Sequence, residues 1–231
     1  MPVITFANTK GGAGKTTAAL LLATELARGG ARVTVLDADP QAWITGWAQT
    51  GAAPRNIEVV SAVTAASIQG HLAEARRVSD YIIIDLPGAR DTLLANALGF
   101  SDHVVIPIQG CAMDAKGGAQ VLELLMRLEK SAGIRIPHSV LLTRVNSLVT
   151  TRALQMVKTL LAERQVRVLD TPIVERAAFR DIFDCGGLLQ DMDAQRVSNL
   201  DKALENARLF AEEIRTLVPY RGARGQMRRA A

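Results

Sequence analysis

The stretch Lys10-Gly11-Gly12-Ala13-Gly14-Lys15-Thr16-Thr17 constrains this chain more than any other. It lies between an apolar run, Val3-Ile4-Thr5-Phe6-Ala7, suited to a buried parallel strand, and a helix-forming run from Thr17 to Arg28. Strand, glycine-rich loop and helix in that order read as a phosphate-binding loop. Glycines at 11, 12 and 14 let the backbone turn its N–H groups inward around a polyphosphate, and the helix that starts there adds the positive end of its dipole. Lys15 would then reach the β- and γ-phosphates. Thr16 would place its hydroxyl on Mg²⁺, a hard cation that takes oxygen ligands and shares them with phosphates. The common motif has a further glycine five positions before Gly14, where this chain has Thr9.

Strand-like runs alternate with helix-period runs along the chain, which predicts βαβ units and a doubly wound α/β fold with a mostly parallel central sheet flanked by helices. The expected strands are Val3 to Ala7, Arg32 to Asp37, Ile57 to Ser61, Tyr81 to Asp85, His103 to Ile108, Ser139 to Val145 and Val166 to Leu169. The run Thr17 to Arg28 is apolar or small almost all round, which predicts a buried helix closed by Gly29-Gly30. Val121, Leu125 and Leu128, with Leu122 and Met126 beside them, make the stripe of a helix over Asp114 to Lys130, with Asp114 as N-cap. Val197, Leu200, Leu204, Ala207, Ala211, Ile214 and Val218 recur at three- and four-residue steps, the core face of a last helix that Pro219 and Gly222 stop.

A chain of 231 residues suffices for one such domain and not for two, so residues 1–218 are read as the domain and 219–231 as a basic, flexible tail. No apolar run is long enough for a membrane span and no secretory signal is present, so a cytoplasmic protein is expected. Cys111 and Cys185 lack the spacing of a metal knuckle and read as structural thiols. The tail arginines Arg221, Arg224, Arg228 and Arg229 account for the whole excess of 27 basic over 23 acidic residues. Affinity for nucleic acid must therefore come from local patches, such as Arg152, Lys158, Arg164 and Arg167, or from the tail.

Acidic residues stand at the ends of two expected strands, where a doubly wound sheet presents side chains to its ligand crevice. Asp37-Ala38-Asp39-Pro40-Gln41 puts two carboxylates there, suited to magnesium and water; alternatively, Asp39 caps a helix over Gln41 to Ala48. Asp85 follows four apolar residues, a position costly for a carboxylate without a cation or backbone donors. Trp43 and Trp47, one helical turn apart, read either as a partner-sensitive face or as core anchors.

The K-G-G-x-G-K-T-T loop, the D-x-D-P-Q segment and the aspartate ending a later apolar strand together resemble the ParA/MinD family of deviant-Walker ATPases. The resemblance extends over essentially the whole chain. It implies ATP and Mg²⁺ as ligands, with Gly11, Gly12, Ala13, Gly14, Lys15, Thr16 and Thr17 on the nucleotide and Thr16, Asp37 and Asp85 around the metal. Lys10 would reach the nucleotide of a second subunit and Asp39 would polarise the attacking water. Adenine contacts would come from the segment Thr143-Arg144-Val145-Asn146 and from the loop Thr171-Pro172-Ile173 to Arg176. Gly88 stands where the family's D-x-P-P has its second proline, which leaves the course of the second switch, Gly88 to Asp91, open.

The resemblance further implies a homodimer formed with ATP, slow hydrolysis, non-specific binding of double-stranded DNA, association with the nucleoid and a ParB-like adaptor that stimulates hydrolysis. The chain looks like a short ParA, starting at the first strand with no helix-turn-helix domain ahead. A MinD-like membrane docker is the nearest alternative, but residues 219–231 offer only Tyr220 and Met227 among glycines and arginines, so no membrane partner is expected. The other alternative is an ATP-dependent small-molecule ligase like dethiobiotin synthetase. An iron–sulfur protein is disfavoured, since Leu86 to Phe100 contains no cysteine.

Overall fold

Successive apolar residues along each strand send their side chains to opposite faces of one sheet, and alternate residues share a face. Ile4, Phe6, Val33, Val35, Tyr81, Ile83 and Val105 join one buried cluster, whereas Val3, Leu36, Ile82, Ile84, Val104, Ile106 and Ile108 join another. The computed structural model describes residues 1–89, 91–109, 112–145 and 152–220, and for residues 112–115, 152–154 and 157 only the backbone. Within them, strands β1 (Val3–Phe6), β2 (Val33–Asp37), β3 (Ile57–Val60), β4 (Tyr81–Asp85), β5 (His103–Gln109), β6 (His138–Val145) and β7 (Ile173–Val174) alternate with helices. The strands form one sheet in the order β3-β2-β4-β1-β5-β6-β7, and every pair is parallel.

Helices α1 (Lys15–Arg28), α2 (Trp43–Gln49), α7 (Ala178–Cys185) and α8 (Leu200–Leu217) close the first face. Helices α3 (Ile68–Val78), α4 (Thr92–Gly99), α5 (Ala112–Ala132) and α6 (Arg152–Glu163) close the second. β1 lies in the middle, and its neighbours β4 and β5 come much later in the chain. The order of connection therefore switches at β1, and the crevice of a doubly wound sheet opens at the carboxyl end of that strand. The loop at residues 10–14 leaves β1 at that place. No helix among the described residues is long and apolar enough to cross a membrane.

Three expectations need correction. Val166 to Leu169 is not a strand; it touches β6 only through the bridge of Val168 to Val140. Glu213 on α8 takes the next two backbone N–H groups, those of Asp170 and Thr171, at 2.8 Å each, and Pro172 has none to give. The ladder to β6 therefore resumes only at Ile173. Helix α5 begins at Ala112, so Asp114 sits inside its first turn and not at its cap. Met126 is 56% exposed, whereas Val121, Leu122 and Leu125 are buried as the periodicity requires. The last helix follows its stripe: Leu200, Ala207, Ala211 and Ile214 are buried and Leu204 packs beside them.

Candidate functional site

Gly14 takes φ +87°, which opens α1 directly, and a Cβ there would sit 3.2 Å from that of Thr143. Left-handed backbone without steric room selects glycine at this position. Lys15, the first residue of α1, is only 4% exposed, and its ammonium donates to the Lys10 carbonyl at 3.1 Å. Burial pulls the Lys15 pKa down from its ordinary value, while the Asp85 and Asp39 carboxylates push it back up. The loop's one lysine in α1 thus sits next to the two acids that end β4 and follow β2. Behind the loop, Asn8 accepts from the Lys10 N–H at 2.9 Å and donates to the Pro107 carbonyl at 2.7 Å. Thr9, the residue in place of the usual glycine, donates its hydroxyl to Gln120 of α5 at 2.5 Å.

Asp37 and Asp85 close neighbouring strands as register partners. One Asp37 oxygen accepts from the Thr45 N–H at 2.8 Å and the Thr45 hydroxyl at 2.7 Å, so Asp37 caps α2 from a distance. Asp39 does not cap it. Its carboxylate accepts from the Gln41 N–H at 2.9 Å, a local turn, and the helix starts only at Trp43. The other Asp37 oxygen and both Asp85 oxygens are buried without a hydrogen-bond partner of good geometry among the described residues. Burial, with the Asp37 and Asp39 carboxylates adding to it and the nearby Thr16 hydroxyl and Lys15 ammonium opposing it, brings the Asp85 pKa up to about 7. Three orphaned carboxylate oxygens beside a threonine hydroxyl fit a hydrated divalent cation, since oxygen-only donors and a charge deficit are what Mg²⁺ takes.

Gly88 resolves the departure from D-x-P-P: a Cβ at this position would lie 2.6 Å from the Gly11 nitrogen and 2.8 Å from the Lys10 carbonyl carbon. Only glycine lets the segment after β4 pass this close to the loop. Asp91 caps α4, accepting from the Leu94 N–H at 2.9 Å.

A crevice of about 590 Å³ runs from the loop over Thr16, Thr17, Asp39, Gln41 and Gly88 to Trp43, Arg144, Phe179, Arg180 and Phe183. A side pocket of about 160 Å³ continues past Gly14, Thr17, Thr143 and Arg144 to Ile173, Val174, Glu175 and Arg176. Together they are large enough for a nucleotide, the small pocket being of a size for its base. Arg176 lines the side pocket, and its Nε is buried without a partner among the described residues. Pro172 does not line either space; its carbonyl accepts from Asn206 at 2.8 Å. Thr143, which lines the side pocket with Arg144, gives its hydroxyl to the Ala13 carbonyl at 2.8 Å. The two tryptophans divide: Trp47 is fully buried and donates to the Gly187 carbonyl at 3.0 Å, while Trp43 is 52% exposed with Phe183 edge-on at 6.3 Å.

Asn146, Cys111, and Arg221, Arg224, Arg228 and Arg229 lie outside the described residues, as does the Arg152 side chain. Cys185 is exposed at the end of α7. Lys158, Arg164 and Arg167 are exposed, the first two on or just beyond α6. The α7 contribution, Phe179, Arg180 and Phe183, was not legible in the sequence. A short helix about 160 residues downstream carries no signal that it folds back over the first loop.

Residues 1–219 match the family described as VirC1 protein. The chain is 38% identical over 214 residues to Protein ParA of Rhizobium radiobacter, covering 93% of this chain and 96% of that protein. It is 29% identical over 223 residues to Protein virC1 of Rhizobium rhizogenes, covering 94% and 96% respectively. Among solved structures, a variant of Cyanothece McdA in complex with ATP superposes with a TM-score of 0.72 at 19% identity, over 93% of this chain and 96% of that one.

Proposed function

Since this chain belongs to the VirC1 family and, with its ParA relative, to the ParA/MinD group of ATPases, we propose that it is an ATP-switched ATPase that partitions or positions a cargo. It is monomeric when empty or ADP-bound, a sandwich dimer with ATP and Mg²⁺, and reset by slow hydrolysis. The observation that carries this reading is the cluster of three orphaned carboxylate oxygens and one buried lysine against a glycine-rich loop at the switch point of the sheet.

Each residue then has a task. Lys15 leaves the Lys10 carbonyl for the β- and γ-phosphates, and the N–H groups from Gly11 to Thr17 surround the same oxygens. Thr16, Asp37 and Asp85 hold the metal, which when bound neutralises charge on the β- and γ-oxygens. Asp39, at the crevice wall and half-buried, orients the attacking water. Lys10 reaches across to the partner's nucleotide. Residues 1–218 do this work as one domain, and 219–231 act as a basic tail.

The ATP-bound dimer binds double-stranded DNA without sequence preference and meets its cargo through a ParB-like adaptor that stimulates hydrolysis. A dimer doubles the phosphate contacts of one subunit, and counterion release makes each contact count. Arg221, Arg224, Arg228 and Arg229 are the main candidates for those contacts. DNA binding measured with ATP and with ADP at several salt concentrations tests this, for the full chain and for a truncation after Val218. ATP-dependent binding with a shallower salt slope in the truncation is expected; a full chain that ignores DNA in the presence of ATP refutes the DNA reading.

A further inference from the structure

A loop that turns its N–H groups toward a phosphate turns its carbonyls the other way, where a donor on the protein can hold them. Four of these carbonyls have one. Lys10 accepts from the Lys15 ammonium, and Gly14 from the Ala18 N–H in the first turn of α1 at 3.0 Å. The two in between accept from the sheet: the Gly12 carbonyl from Gln109 Nε2 and the Ala13 carbonyl from Thr143 Oγ1.

These two donors are register partners on neighbouring strands, Gln109 as the last residue of β5 and Thr143 on β6. Register partners in a parallel pair point to the same face, so their side chains stand next to each other and reach consecutive carbonyls of one loop. Thr143 is 2% exposed and also abuts Gly14. Immediately after it the pairing with β7 is irregular, with Arg144 at φ +50° and a register shift between Thr143 and Val145, where β6 ends.

Because a trans peptide is planar, fixing a C=O fixes the next residue's N–H in the opposite direction. We propose that Gln109 and Thr143 form a clamp on the carbonyls of Gly12 and Ala13 that aims the N–H groups of Ala13 and Gly14 at the phosphates. They are positioning residues, acting through the loop backbone. This rests on the proposal that the loop binds ATP. A loop held in its binding shape before the ligand arrives loses less ordering entropy on binding, so the clamp acts on affinity.

The experiment measures Mg·ATP affinity by calorimetry for the wild type, Thr143→Val, Thr143→Ser and Gln109→Ala, alongside circular dichroism of each nucleotide-free protein. Thr143→Val removes the hydroxyl at nearly constant shape, and Thr143→Ser restores it. Each of Thr143→Val and Gln109→Ala is expected to weaken ATP binding about fivefold to tenfold, the cost of one hydrogen bond to a loop carbonyl. Thr143→Ser is expected within about twofold of the wild type, and steady-state kinetics are expected to show the loss in KM more than in kcat. Folded Thr143→Val and Gln109→Ala proteins that bind ATP like the wild type overturn the clamp. So does a Thr143→Ser protein as weak as Thr143→Val, since that would make Thr143 a packing residue only. If Thr143→Val fails to fold, Gln109→Ala at the strand end decides alone. A wild type that does not bind ATP refutes the ATP reading itself.

Discussion

Replacing Asp85 by asparagine isolates what the metal-free site costs the fold. The carboxyl is fully buried with neither oxygen hydrogen-bonded in good geometry among the described residues, and its pKa moves from an ordinary 3.8 to about 7. A folded pKa above the unfolded one means stability that is complete below pH 4 and lost as pH rises through 7. From pH 4 to pH 8 that loss is at most about 4 kcal/mol, since each pKa unit is worth about 1.4 kcal/mol and relaxation of the site reduces it. The amide of the variant does not titrate. The stability of Asp85→Asn relative to wild type should therefore rise by up to about 4 kcal/mol over this interval, roughly 10 °C in Tm for a domain of this size. Urea denaturation of both proteins in EDTA at half-unit pH steps measures it, and comparing the pair cancels the titrating groups that do not interact with Asp85. Mg·ATP should then stabilise the wild type and leave Asp85→Asn nearly unmoved. A stability gap that is flat from pH 4 to pH 8 would refute the buried-charge argument.

On the proposed mechanism Asp39→Ala should bind ATP and stay dimeric, because it would remove the water-orienting carboxylate and no phosphate contact; wild-type hydrolysis in this variant would show Asp39 to be only a turn former. Gly88→Ala should weaken ATP binding on the order of tenfold, as its Cβ would stand 2.6 Å from the Gly11 nitrogen and push the loop aside; unchanged affinity would mean the two segments separate at little cost. Trp47→Phe should lower stability by about 2 kcal/mol through a lost hydrogen bond and a cavity, while Trp43→Phe should cost under about 0.5 kcal/mol; equal losses on chemical denaturation would contradict the division between them.

Local pattern carried most of the fold and the loop. Continuous apolar strand runs, glycines at 11, 12 and 14 and acids at strand ends can all be read without knowing the sheet order. What escaped depends on contacts between distant segments. Val166 to Leu169 has the composition of a strand, but Glu213, some 40 residues on, captures the N–H groups that would continue the ladder. The alternative reading of Asp39 before Pro40, a helix cap, fails because the chain turns once more before α2 and brings Thr45 back to Asp37 at the strand end. Gln109 and Thr143 gain meaning only from the β5–β6 register, which no stretch of sequence encodes by itself. Gly88 was visible as an oddity, and its reason is the loop backbone facing it.

Sedimentation velocity with Mg·ATP, Mg·ADP and no nucleotide, on the wild type, Lys15→Ala and Lys10→Ala, tests the switch most directly. The wild type is expected to dimerise only with Mg·ATP, and Lys15→Ala to bind no nucleotide and stay monomeric. Lys10→Ala is expected to bind ATP but stay monomeric, because in the proposed dimer Lys10 neutralises phosphate charge across the interface. A Lys10→Ala protein that dimerises with ATP as the wild type does, or a wild type with the same mass in all three conditions, would contradict the switch.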